Sequence, residues 1–378
     1  MNLQQNRTVL TRINSILSLV ITASTRTRLV AKNLALLCSF FVLSFISVVN
    51  ADTLPSDDAL DAMFKAQDYD SIVDTLEPLP SKTVKQYNLL ISALMNTDLD
   101  DAEEVAIQFI NDHKGNYRAY HMHASVMGAQ ATSSIFSALG YAKKAKASLE
   151  KAVEIAPDEI DVYQALMQFY IMAPSIAGGD IDEAKKLADK ITQMDALEGK
   201  FATAKVYAAD DKKTEAKVIL NALSEQPEFE TRSRYELGQL LINEEEYDDA
   251  IAALTPLIST NIEKAEKSDE QAWDTYSNNK FTQLYGTYRV GWIAVETSEY
   301  TDSGINALTL YLTELNTTDI NTQQLPSKNW ANLRLAELYL NADDVSMASS
   351  TIAKITEDDD KRLTKTLKSL KKQIKKRT

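Results

Sequence analysis

The chain has 378 residues, more than one compact core usually holds, and only 10 are Gly and 8 Pro; so few backbone breakers exclude a turn-rich sandwich or barrel and point to long helices in several domains or a repeat array. Lys and Arg number 40 against 54 Asp and Glu, a formal charge of −14, which disfavours nucleic acid as a partner. The single cysteine is Cys38, so the chain beyond it has no disulfide, thiolate-metal or cysteine-nucleophile chemistry.

Residues 1–51 carry Arg7, Arg12, Arg26, Arg28 and Lys32 and no acid, followed by the apolar run Leu34 to Val49. A basic leader, a run shorter than the ~20 residues of a membrane-spanning helix, and the small-residue end Val49-Asn50-Ala51 together predict an export signal. Residues 1–51 are therefore expected to be a signal peptide with a long leader, cleaved after Ala51, the protein being periplasmic; the alternative is a retained inner-membrane anchor. Without the leader, 35 basic residues face 54 acidic ones, a charge of −19.

Beyond residue 52 one apolar pattern recurs. Weak copies lie at Tyr69, Ile72 and Leu76 and at Ala102, Ala106 and Phe109. Stronger ones follow at Ala145, Leu149, Ala152 and Pro157, then at Tyr163, Leu166 and Tyr170 with a late second segment from Ala184 to Ile191. Tyr207 precedes Ala216, Leu220 and Leu223, which stand 34 residues before Ala250 and its partners Leu254 and Leu257. Ahead of Ala250, Leu237 and Leu241 make an apolar helix stripe, Gly238 lets a second helix come close, and Tyr247 opens that second helix. The offsets return at Val290, Gly291, Ala294, Tyr300, Ser303, Ala307 and Leu310, and again at Leu335, Ala336, Tyr339, Ala348, Ile352 and Ile355.

The unit around Tyr235-Glu236-Leu237-Gly238 and Ala250 resembles a tetratricopeptide repeat, whose repeat length is the 34 residues separating Ala216 from Ala250. The resemblance implies an all-α α-solenoid, a right-handed superhelix of stacked antiparallel helix pairs. About eight pairs are expected over residues 52–357, clearest at 141–257. Stretched spacings before Ala145, Ser303 and Ala348 predict irregular insertions. Residues 358–378 are expected to be a basic C-terminal capping helix, because Leu363, Leu367, Leu370 and Ile374 form a stripe within Lys361 to Arg377, which holds nine basic residues and no acid. Membrane contact is expected only through this tail or the leader.

Little in the sequence reads as chemistry. Gly178-Gly179 lacks the Gly-Lys-Ser/Thr of a phosphate loop and is read as an inserted turn, with Asp180 or Asp182 capping the next helix. His121 and His123, two residues apart, do not share a helix face, and no serine or acid is fixed beside them for a catalytic triad. Carboxylate clusters such as Glu244 to Glu246 suit helix N-termini and solubility. The insertion near residues 263–292 concentrates aromatic surface: packing accounts for it by default, but Trp273, Tyr276, Tyr285, Tyr288, Arg289 and Trp292 are the candidate partner-binding residues. No basic residue occupies Tyr235, Gln239 or Ile242, so capture of a peptide C-terminus is not expected.

Stacked helix pairs leave a groove suited to peptides. The expectation is thus a non-enzymatic periplasmic scaffold or adaptor of a Gram-negative cell envelope, needing no cofactor and binding a protein or peptide partner. The alternatives are an all-helical enzyme acting on envelope carbohydrate, or a metal or haem delivery factor using His121, Met122, His123 and Met127.

Overall fold

The computed structural model describes residues 54–133, 137–322, 324–356 and 360–377. The leader and the expected cleavage point lie outside the described residues. Asp57–Thr378 form one unit, and its described residues hold seventeen α-helices and no strand.

The helices fall into eight successive pairs. These are α1 (Asp57–Lys65) with α2 (Tyr69–Leu76), α3 (Val84–Thr97) with α4 (Leu99–Asp112), and α5 (Tyr117–Ser133) with α6 (Ala138–Ile155). Then come α7 (Ile160–Met172) with α8 (Ile181–Met194), α9 (Ala196–Ala209) with α10 (Lys213–Ser224), and α11 (Glu230–Asn243) with α12 (Tyr247–Leu254). The long α13 (Glu270–Thr297) pairs with α14 (Thr301–Thr317), α15 (Lys328–Asn341) pairs with α16 (Val345–Ile352), and α17 (Lys361–Arg377) ends the series. Contacts run chiefly between helices adjacent in the chain or one removed, the stacked-pair architecture of an α-solenoid.

Local signals account for where helices start and stop. Thr83 closes a capping box with Gln86 at the head of α3, and Asp98, Asp195, Asp269 and Asp344 each accept backbone N–H groups at a helix N-terminus, meeting donors the helix itself leaves unpaired. Asp98 and Asp195 each end one helix and cap the next, so those junctions need a single extended residue.

Four pairs share one turn. Gln67, Asp211, Glu245 and Asp343 each adopt a left-handed backbone with φ between 58° and 62°. The N–H of the next residue then reaches back five residues, from Asp68 to Met63, Lys212 to Tyr207, Glu246 to Leu241 and Asp344 to Tyr339, at 2.8–3.0 Å. This is the Schellman closure, here made by residues other than the usual glycine.

The turn between α13 and α14 differs, with two left-handed residues, Ser298 and Tyr300. It holds one residue more than the Gly238-to-Ala250 spacing predicts. Consequently Gly304 rather than Ser303 is buried, and a Cβ on Gly304 would stand 2.5 Å from that of Ala294. The helix crossing itself is preserved: a Cβ on Gly238 would lie 2.5 Å from Leu254, and one on Gly291 2.3 Å from Leu308. The late start of α8 has a local cause as well. A 3-10 turn at Ser175–Ala177 and left-handed Gly178 (φ 99°) carry the chain to Asp180, which donates to the Tyr170 carbonyl at 3.0 Å and caps α8.

The core runs along the stack as four successive clusters. The first half buries residues such as Ile72, Leu90, Phe109 and Met127, the middle Phe201, Leu220, Leu241 and Leu254, and the later part Tyr288, Leu308 and Tyr311. Leu363, Leu370 and Ile374 of α17 pack on Leu333, Ala336, Leu340 and Ala348, which turns its basic residues outward. No described helix is long and apolar enough to cross a membrane.

Candidate functional site

Residues of α7, α9 and α11, the first helices of three successive pairs, with Lys213 and Leu220 of α10, line an open groove of about 510 Å³. Gln168, Ile171, Lys205, Ala208, Tyr235 and Gln239 form much of its wall.

Beside it runs a ladder of polar side chains in the repeat register. Gln164, Glu198 and Arg232 stand 34 residues apart, one per helix: Gln164 donates to Glu198 at 2.8 Å, and Arg232 to Glu198 at 2.6 Å. Arg232 also donates to Glu236 at 3.0 Å, and Lys205 completes the chain 3.4 Å from Glu236. The Arg232 guanidinium lies 3.8 Å from the Phe201 ring centre. Burial opposes its charge, but Glu236 and Glu198 outweigh burial and raise its pKa.

Tyr235 carries the wall onward to α13, its ring 5.7 Å from that of Tyr285. Burial pushes the Tyr235 hydroxyl up to about 12, so it stays protonated at neutral pH. On α13, Arg289 sits one turn after Tyr285, its guanidinium 5.1 Å from the Tyr285 ring and 5.6 Å from Trp292. Trp292 packs in turn on Tyr247 at the start of α12, 6.4 Å between ring centres.

Of the six residues expected to bind, the fold brings together Tyr285, Arg289 and Trp292, all half-buried. Tyr288 is a core residue, 6% exposed and 5.3 Å from Tyr311. Tyr276 is also buried, at 8%, and Trp273 lies against it with ring centres 5.3 Å apart. That pair stands about 20–24 Å along the helix from Arg289 at ~1.5 Å per residue, too far to share a contact. The polar anchor of α13 is Gln283, whose buried amide donates to the Leu257 carbonyl at 3.1 Å. It ties the helix to the turn after α12.

One pair further on, Arg334 of α15 reaches Glu296 of α13 at 3.2 Å and Glu337 at 3.1 Å, and lies 5.8 Å from the Trp330 ring. Burial raises the pKa of Glu337 against the pull of Arg334. The Glu198–Arg232 pairing, the Arg334 cluster and the part played by Tyr235 were absent from the expected site. The 34-residue recurrence of Gln164, Glu198 and Arg232 is the signal that would have found the first.

The histidines have separate surroundings. His123 is buried and hydrogen-bonded to Ser148 at 2.8 Å, and His113 meets the Lys82 carbonyl at 3.1 Å and packs edge-on to Tyr87 and Phe109. His121 lines a small cleft with Asn88, Tyr117, Met122 and Asp161. Burial lowers the pKa of both His121 and His123.

Comparison with known proteins bears on the repeat. A family profile described as "Tetratricopeptide repeat" matches residues 132–159, which contain α6 with Ala145, Leu149, Ala152 and Pro157. No curated protein sequence matches the chain. Among solved structures, that of yeast Tom70 aligns at 12% identity and a TM-score of 0.41, over 90% of this chain and 79% of that one. The APC/C hetero-tetramer Cut9-Hcn1 aligns at 16% and 0.34, over 78% of this chain and 59% of that one. Overlays this loose add nothing to the packing described above. The sequence match thus covers α6, the second helix of the third pair, and the end of the helix before it; the eight pairs stack on one helix-turn-helix plan.

Proposed function

We propose that the protein is a non-enzymatic scaffold that holds a partner protein by an extended segment laid along the wall formed by α7, α9, α11 and α13. One observation carries the reading: a half-exposed surface of apolar, aromatic and hydrogen-bonding side chains runs from Gln168 and Ile171 across Tyr235 to Tyr285 and Trp292. Grooves of this make-up favour peptides, with aromatic side chains as anchors. The basic, acid-free leader and the apolar run before Asp52 support an exported, periplasmic protein whose partner is another envelope component.

The test is crosslinked affinity capture from envelope extract with the full chain tagged at its C terminus. The reading expects a defined envelope protein that is captured by the wild type and lost by a Tyr285→Ala, Trp292→Ala variant that keeps the wild-type helical circular dichroism at the temperature of the capture. Equal capture by that variant, or no protein captured by the wild type, counts against it. N-terminal sequencing of the purified protein tests the compartment: a chain beginning at Asp52 is expected, and an intact leader in the inner-membrane fraction is the contrary result.

A further inference from the structure

Three arginines follow one another on the first helices of successive pairs: Arg232 on α11, Arg289 on α13 and Arg334 on α15. Each lies over aromatic rings, at 3.8 Å from Phe201, 5.1 Å from Tyr285 and 5.8 Å from Trp330. The outer two have carboxylates supplied by the fold. Arg232 holds Glu198 and Glu236, and Arg334 holds Glu296 and Glu337.

Arg289 pairs with no carboxylate among the described residues. Its one hydrogen bond is from Nη2 to the Tyr285 hydroxyl at 3.5 Å, the outer limit for such a bond, and its Nε is buried without an acceptor. The Nε of Arg334 is also unpaired, but there the terminal nitrogens are neutralised by two acids. A guanidinium stays charged at any working pH, and its fork of donors matches a carboxylate. The acids nearest along the wall are taken: Glu236 by Arg232 and Lys205, and Glu296 and Glu337 by Arg334.

We propose that Arg289 is a recognition site for a carboxylate that the partner brings, namely an Asp or Glu side chain within the extended segment that the scaffold reading, on which this rests, places in the groove. An internal side chain fits better than a chain terminus because the wall continues on both sides, through Tyr235 toward α11 and through Glu296 and Arg334 toward α15. Tyr285 and Trp292 hold the guanidinium in place and offer apolar surface to the residues flanking the acid. The acidic body does not forbid this, since screening confines its repulsion to a Debye length of ~8 Å at physiological salt.

The test is selection of a random 12-residue peptide display library on the full chain. Recovered peptides are expected to share one acidic position, and replacing that Asp or Glu by its amide should weaken binding to the wild type at least about tenfold. On Arg289→Met the same replacement should matter less than about twofold, with Arg289→Lys regaining part of the difference. A cooperative melting transition for Arg289→Met within the few degrees of wild type that about 1 kcal/mol allows shows that the fold is intact. Peptides that bind without an acid, or that bind Arg289→Met as well as wild type, overturn the carboxylate site and leave the scaffold standing. Failure of the wild type to select any peptide overturns both.

Discussion

The pairs α9–α12 and the pair α13–α14 solve one packing problem with different amounts of chain. In the first region the repeats keep the 34-residue period, the turns contain one left-handed residue each, and the wall's charges are closed by Glu198, Arg232, Glu236 and Lys205. In the second the leading helix runs to 28 residues, the turn takes an extra residue, and Arg289 has no carboxylate partner among the described residues. The close crossing survives in both, Gly238 against Leu254 and Gly291 against Leu308. Helix-pair packing therefore constrains the seam tightly and the wall loosely, and the wall is where charge can be left unpaired for a ligand.

The largest effects should come from the seam. Gly238→Val and Gly291→Val each drive a branched side chain into a facing leucine, with an expected loss of about 3 kcal/mol in urea unfolding. Similar losses support the same crossing in both regions. Tolerance of Gly291→Val alone would contradict the one-residue shift assigned to α14.

Next are the two arginines that most sharpen the contrast. Arg334→Met strands Glu337 and Glu296 and should cost about 2–4 kcal/mol, whereas Arg289→Met, which strands no carboxylate, should cost about 1 kcal/mol or less. The pH dependence has a definite sign. Burial raises the folded pKa of Glu337 above its unfolded value, so the folded state binds the proton more tightly and this group's contribution to stability falls as pH rises through that interval. Removing Arg334 deepens the shift, so the variant's melting temperature should drop more steeply than that of wild type between mildly acidic and neutral pH. A parallel decline in the two proteins would break the assignment.

Helix caps come third. Asp195→Ala, before α9, removes an acceptor of two helix N–H groups and Asp269→Ala, before α13, an acceptor of one; each should cost ~1 kcal/mol. Equal losses would show that the long helix is held at its head as firmly as the regular one. The smallest effect has the opposite sign: Glu245→Gly relieves a left-handed backbone at φ 62° and should gain ~0.5 kcal/mol.

Much of the fold was legible because it is local. The stripe of Leu237 and Leu241, the small residues Gly238 and Ala250, and their return 34 residues apart report a helix pair without any knowledge of its neighbours. The helix heads were legible in the same way, Asp180 being one of the two caps expected for α8. Ser303 was misplaced by one residue because nothing in composition marks the extra left-handed residue in the turn before it. The site was legible only in part. Its aromatic density is visible in the sequence, but Tyr276 and Tyr288 turn into the core while Tyr285 and Trp292 remain on the wall.

The sequence by itself determined the paired helices, their caps and their period, since each depends on contacts within one or two turns or across one short loop. Tertiary structure alone decided which side of α13 is covered. A helix of that length meets α11, α12, α14 and α15 on different sides as it advances, so burial there follows from where the neighbours end. The same holds for charge. Arg232 and Arg334 each have an acid one turn on in the sequence, Glu236 and Glu337, and Arg289 has none; only the fold brings Glu198 and Glu296 from neighbouring helices to the first two and no described carboxylate to the third.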